Sequence, residues 1–421
     1  MLLRSKMPDI QEVKNLVVPP PEIWQLNNGT TVYETNLGTQ EIVKLDLVFL
    51  AGRPYEQKRL ASRATAALLK DGTTKHTSAE IAESLDFYGA TLATPVGLDF
   101  ATVQLYTLSK HFASMLPLVA EILACPVFPQ KELDSFVQRN KQRMQVDLKK
   151  NDFVAYRKFT ELLFGNDHPY GYNSYPETYD ALNRQDLLDH FHETYTTGNC
   201  TIFLAGKIEP SVRQLLQEHL SPALHPGERK TANLPPAHRT PISFREPLPD
   251  SVQKAIRIGS PWFNRQHDDY EGMYVLNTIL GGYFGSRLMA NIREKKGYTY
   301  NIYSTHDALL HDGYFYVGTE VSNDLVEPTI KEIYLEMEKL QDKPVRKPEM
   351  EMVRNYLLGN LLTNLDGAFN IEEVVKTFIT EGMSLGDFDE LVRVIKTITP
   401  KELRELARKY FRKELMWEVV V

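Results

Sequence analysis

Two kinds of apolar spacing alternate along the chain. Residues 101–108, "ATVQLYTL", carry apolar side chains at every second position, as expected of a strand with one buried face. Residues 112–124, "FASMLPLVAEILA", repeat at i, i+3, i+4 and i+7, the spacing of an amphipathic helix. A Pro-Val turn at Pro126-Val127 and a second helix opened by acidic residues follow. The same succession returns from Phe315 onward in "FYVGTEVSNDLVEPTIKEIYLEMEKLQDKPVRKPEMEMVRNYLLGNL", with its turn at Pro344-Val345. The halves also close alike. "DLLDHFHETYTTGNCTIFLAG" from Asp186 and "ELRELARKYFRKELMWEVVV" from Glu402 each read as a helix followed by a strand. Several matches in one order, all offset by near half the chain, point to an internal duplication.

Between the halves lies a proline-dense stretch without apolar periodicity, "LHPGERKTANLPPAHRTPISFREPLPD". The expected organisation is an N-terminal lobe over 1–223, a linker over 224–250 and a C-terminal lobe over 251–421. The strand pairs lack regular crossover helices. The expected fold class is therefore α+β, with two homologous lobes that are each an antiparallel β-sheet packed with helices. A chain of 421 residues suits two such lobes.

Composition narrows the function. A net charge of −7 and no clustered Lys/Arg patch argue against nucleic-acid binding. Two distant cysteines, Cys125 and Cys200, form neither a disulfide framework nor a Cys-based zinc site, and free thiols suit a reducing compartment. No apolar run reaches membrane-span length, and the first residues lack a signal-peptide core, so a cytoplasmic protein away from the membrane is expected.

The densest local pattern is Gly281 to Ser304, "GGYFGSRLMANIREKKGYTYNIYS". Ser286 is placed to cap a helix whose buried stripe is Leu288, Met289 and Ile292, and Gly297 to end it. Arg293 falls in the last turn, and Tyr300 on the strand after it, facing the same way as Tyr298 and Ile302. Arg293 fits two roles: a donor toward a ligand, or the partner of a nearby carboxylate at a helix C-terminus. The tyrosines likewise fit either a site or ordinary strand positions. Gly281 and Gly282 read as turn glycines or as backbone that a ligand approaches closely.

This stretch, with "LDFYGATLATPVGLDFATVQLYTL" from Leu85 and "HPYGYNSYPETYDALNRQDLLDHFHETYTTGNCTIFLAGKI" from His168, resembles the pitrilysin/insulinase family of zinc metallopeptidases, in particular its short, processing-peptidase-like members. The resemblance covers nearly the whole chain. It implies an active site shared between a zinc-bearing half and a half that supplies an arginine and a tyrosine. Here those are Arg293 and Tyr300, with Gly281, Gly282, Phe284 and Ser286 as the expected peptide-facing turn.

The family's His-x-x-Glu-His motif is missing. Registering Gly72-Thr73 on the turn that follows the motif sets Arg63, Ala66 and Ala67 where His, Glu and His belong, and Met144 near the place of the distal glutamate. Alanine has no lone pair for a metal, and arginine repels one. The first histidine of the chain is His76, beyond the turn. His190 and His192 lie about 200° apart on the helix their neighbours define, one packed and one exposed. No Gly-x-Ser-x-Gly elbow or Gly-Lys-Ser/Thr phosphate loop occurs. The first-half edge strand, which in active relatives pairs with substrate, is expected to be structural only. The expectation is a metal-free chain with no hydrolysis of its own. It would contribute Arg293 and Tyr300 to the zinc site of a homologous zinc-bearing subunit acting on an extended peptide. A scaffold protein and a peptide-binding homodimer of the same fold are the alternatives.

Overall fold

The computed structural model describes residue 13 and residues 15–421, apart from 239, 247 and 250. The first sheet is built from β1 (Glu22–Gln25), β2 (Thr31–Thr35), β3 (Ile42–Phe49), β4 (Thr91–Ala93), β5 (Ala101–Leu108) and β6 (Cys200–Gly206), in the order β1-β2-β6-β3-β5-β4. The second holds β7 (Ser243–Arg245), β8 (Gln253–Trp262), β9 (Ile302–Ala308), β10 (Gly313–Ser322) and β11 (Trp417–Val420), in the order β7-β11-β8-β10-β9. Without β1 the two orders are the same when strands are matched in chain order. The duplication read from the sequence is therefore a duplication of topology.

Each sheet departs from the expected pure antiparallel pairing at one place. The last strand of each half returns from a long helical excursion and inserts beside the first, so β2–β6 and β7–β11 are parallel while the other pairs are antiparallel. The central strands β3 and β8 are buried on both faces. β5 keeps the strict in-out alternation that its sequence predicts.

The proline-dense segment 224–250 is more than a tether. The Thr197 N–H donates to the His225 carbonyl, and the Lys230 N–H to Asn199 Oδ1. Its last part forms β7, an edge of the second sheet.

Helices cross between the halves. Asn151–Phe164, from the first half, packs on β8 and β11 of the second sheet, and Ala368–Thr380, from the second half, packs on β6 and β2 of the first. Ala155, Phe159 and Leu163 accordingly share a core with Ala255, Tyr314, Trp417 and Val419. Val48 and Phe203 belong to a core otherwise built mainly from residues of the second half, including Ile371 and Val375. At Gly259 an added Cβ would stand 2.8 Å from the Phe159 ring and closer still to the Phe315 carbonyl. That is why the crossing helix can lie so near β8.

Candidate functional site

The helix Ala61–Leu68 occupies the place where the resemblance puts the metal-binding helix. It starts from Leu60, held at φ 73°, a left-handed conformation that costs a side-chain-bearing residue roughly 1–2 kcal/mol. Neighbouring groups fix the turn. The Ser62 N–H donates to Glu56 Oε2 at 3.1 Å, and Ser62 Oγ donates to the Ala51 carbonyl at 2.7 Å. Thr65 Oγ1 donates to the Leu187 carbonyl at 3.3 Å, tying the helix to Arg184–Thr194. On that second helix His190 is buried against the Ala51 carbonyl at 3.0 Å, and burial drives its pKa down to about 4. His192, two residues on, is exposed, as a helical period requires.

Zinc does not fit here. Ala66 is buried, Ala67 half-buried, and Met144 buried on the helix Gln130–Asp147; none offers an oxygen, nitrogen or thiolate. Arg63 projects to the surface, and its Nη2 donates to Asn140 Oδ1 at 3.3 Å. Among the described residues, one group of His, Cys, Asp or Glu side chains lies close enough to share an ion: Asp46, Glu372 and Glu373. Its counter-charges are already present, because Lys44 and Lys376 ion-pair with all three carboxylates.

The second-half stretch folds differently from its sequence reading in three respects. The helix is a wide, π-type turn over Met289–Lys295, in which the Lys296 N–H reaches back to the Asn291 carbonyl at 3.1 Å. Ser286 is no cap. Its Oγ is buried and meets no hydrogen-bond partner, so the side chain faces the interior rather than a peptide. Tyr300 lies in a bend two residues ahead of β9, not on the strand. Gly297 does end the helix, at φ 66°. Gly281 is buried, and an added Cβ would meet the Ser304 backbone nitrogen at 2.5 Å, so packing against β9 explains this glycine. Gly282 and Phe284 are exposed.

Arg293 has no carboxylate partner among the described residues. The nearby acids are engaged elsewhere: Glu332 by Lys296 and Asn291, Glu349 by Arg287. Instead the Arg293 guanidinium stacks over Phe284, 4.8 Å from the ring centroid. This contact closes the turn back on its own helix. Tyr300 is 91% exposed, with its backbone pinned on either side by Thr299 Oγ1, which donates to the Asn301 and Glu320 carbonyls. Beside Phe284 lies an apolar group that the sequence did not reveal: Tyr283 packs on Tyr356 at 4.8 Å and donates to Met352 Sδ. Its members come from segments about seventy residues apart.

Two sheets of one topology, with a helix of each half packed on the sheet of the other, define the class: a two-lobed α+β fold. Residues 181–357 match the family profile described as Peptidase M16 inactive domain. An uncharacterized zinc protease of Rickettsia felis is 26% identical over 400 residues, covering 92% of this chain and 94% of that one. A protein of Helicobacter pylori named as a non-peptidase homolog is 22% identical, covering 87% and 85%. The crystal structure titled peptidase M16 inactive domain from Pseudomonas fluorescens superposes with a TM-score of 0.87 at 22% identity, covering 95% of this chain and 97% of that one. At family level the chain is similar to M16 peptidase homologues, among them ones named as inactive or non-peptidase. Among the described residues no helix is long and apolar enough to cross a membrane.

Proposed function

We propose that this chain is the metal-free subunit of a two-subunit zinc peptidase. It binds an extended peptide and sets Arg293 and Tyr300 against the metal site of a homologous zinc-bearing partner, in the reducing environment of the cytoplasm. One observation carries this reading. In a protein rich in ion pairs, Arg293 is held by stacking on Phe284 rather than by a carboxylate, and Tyr300, seven residues further along, is 91% exposed. Arg and Tyr are both donors, and neither needs to change protonation to hold a carbonyl oxygen that gains negative charge. Phe284 and Gly282 form the surface past which the peptide would run. That Arg63, Ala66, Ala67 and Met144 stand where the metal ligands and base are expected supports a reading in which the metal, and with it the activation of water, belongs to the partner.

The test is to combine the purified chain with a homologous subunit of similar length that carries His-x-x-Glu-His and to follow cleavage of an unstructured peptide. Activity is expected only in the mixture. Arg293→Ala should lower kcat/KM by about 10²–10³, the usual loss for a donor to a developing oxyanion, with assembly unchanged by gel filtration. An inert mixture, or full activity in the variant, would refute the assignment.

A further inference from the structure

Beside the stripped metal helix lies a cleft of about 350 Å3 that the proposed shared site does not use. Its lining includes Arg53 and Arg63, the apolar side chains of Leu60, Val96 and Leu98, and Tyr172. The Arg53 guanidinium lies flat on the Tyr172 ring at 4.4 Å, and its Nη1 reaches the Tyr172 and Pro169 carbonyls at 3.3 and 3.4 Å. Arg59 takes the same ring at 5.1 Å but is spent on the Asn166 carbonyl and Asp167. Glu56 is the one carboxylate in the lining, and both its oxygens are occupied. Oε1 accepts from the Tyr172 hydroxyl at 2.5 Å, and Oε2 from the Ser62 N–H. Burial raises the pKa of Glu56. The cationic members of the lining are therefore Arg53 and Arg63, the latter donating from Nη2 to Asn140 Oδ1 at 3.3 Å with its other N–H groups to spare, and the aliphatic members are Leu60, Val96 and Leu98.

We infer that this cleft binds a peptide carboxylate seated beside an apolar side chain, with Arg53 and Arg63 holding the carboxylate and Leu60, Val96 and Leu98 the side chain. The position that holds a cation in zinc-bearing relatives would here hold an anion. The inference rests on the reading of this chain as a peptide-binding subunit and specifies what part of the peptide its first half grips. Arginine suits the task because its planar fork matches the two oxygens of a carboxylate and its charge does not titrate. Arg53 is prealigned by its stack on Tyr172, so little side-chain freedom is lost on binding. The volume suits one residue, not a folded partner. Two carboxylates meet this description: the chain end of a peptide with an apolar last residue, and an acidic side chain next to an apolar one.

The experiment titrates the full chain, without a partner, with small probes followed by ligand-observed NMR. N-acetyl-leucine should bind roughly tenfold or more tightly than N-acetyl-leucinamide, a difference of about 1.4 kcal/mol. Arg63→Gln should erase that preference, and Arg63→Lys should keep part of it. Arg63 is exposed, so both variants should fold, which circular dichroism checks. Arg53→Gln should act in the same direction. N-acetyl-glutamyl-leucinamide separates the sources: binding equal to N-acetyl-leucine assigns the side-chain carboxylate, and weaker binding assigns the chain end. Equal binding of acid and amide, no saturable binding of either, equal binding of inorganic phosphate, or an unchanged preference in Arg63→Gln would each overturn the inference. The outcome is independent of Arg293. If the acid preference is absent while Arg293→Ala still cripples the two-subunit mixture, only the carboxylate site falls. If the preference is present and the mixture is inert, only the shared active site falls.

Discussion

At one seam between the lobes the helix Ala368–Thr380 lays Glu372, Glu373 and Lys376 over β3, where Lys44 and Asp46 are wholly buried. At the other, Asn151–Phe164 lays Asp152 and Phe159 over β8, where Arg257 and Gly259 hold the corresponding strand positions. The plan is shared: a crossing helix, a central strand and a buried cation on the strand. The contents differ. The first seam gathers three carboxylates against two lysines, with Gln104 donating to Asp46 at 3.2 Å and the Tyr106 ring over Lys44. The second seam has one ion pair, whose acid is 52% exposed, and seals the rest with the Phe159 ring on Gly259. Arg257 there is steadied by stacking on Tyr316 and a hydrogen bond to the Ile256 carbonyl. Duplicated topology thus leaves free the choice between ionic and aromatic filling, provided each buried charge finds a partner.

The comparison breaks most readily at Lys44. Lys44→Met strips the buried carboxylates of their central cation and should cost about 3–5 kcal/mol in urea unfolding. A loss below roughly 1 kcal/mol would show that the cluster is not the latch described. Phe159→Ala attacks the aromatic seam, removing a ring that fills the space above Gly259, and should cost about 3–4 kcal/mol. Asp152→Asn should cost only about 1 kcal/mol, since water reaches the acid and Arg257 keeps its other contacts. If Asp152→Asn proves as damaging as Lys44→Met, the two seams are energetically alike and the contrast fails.

The smallest expected effect is on pH dependence. Burial first, then Asp46, pushes the Glu372 pKa up to about 7, because three carboxylates outnumber two lysines. Asp46 Oδ1 and Glu372 Oε1 are both buried without a hydrogen-bond donor, so a proton retained there has acceptors waiting. The folded state holds this proton more tightly than the unfolded chain does. Its contribution to stability is full below the unfolded value of about 4.3 and is lost as pH rises through about 7. Thermal unfolding between those limits should show stability falling with pH from this group, and Glu372→Gln should flatten that component. An equal slope in the variant would place the proton elsewhere.

Much of this was legible locally. The alternation of β5, the helix after it and the repeated Pro-Val turns announced two α+β halves because strand and helix periods are local properties of a chain. The loss of metal donors was legible for the same reason, since a residue type either has a lone pair or lacks one. Ser286 stands before the helix as read but makes no cap bond, and Tyr300 falls in a bend ahead of β9. The wide helical turn over Met289–Lys295 lies between the helix start and Tyr300, and no side-chain pattern encodes that widening. The cleft lined by Arg53 and Arg63 was invisible, because Tyr172, more than a hundred residues along the chain, joins them only through the fold, with its hydroxyl on Glu56.

The strand β3 marks the boundary between the two kinds of knowledge. Its residues Lys44 and Asp46 alternate with Val43, Leu45 and Leu47, which by pattern alone describes one apolar face and one facing water. The sequence by itself determined that alternation, the duplicated order of elements and the residue types Ala66, Ala67 and Met144, which carry no oxygen, nitrogen or thiolate for a metal. Only the tertiary structure decided that the polar face is also interior. A helix from the other lobe, more than three hundred residues along the chain, covers it and brings the opposite charges that make burial tolerable.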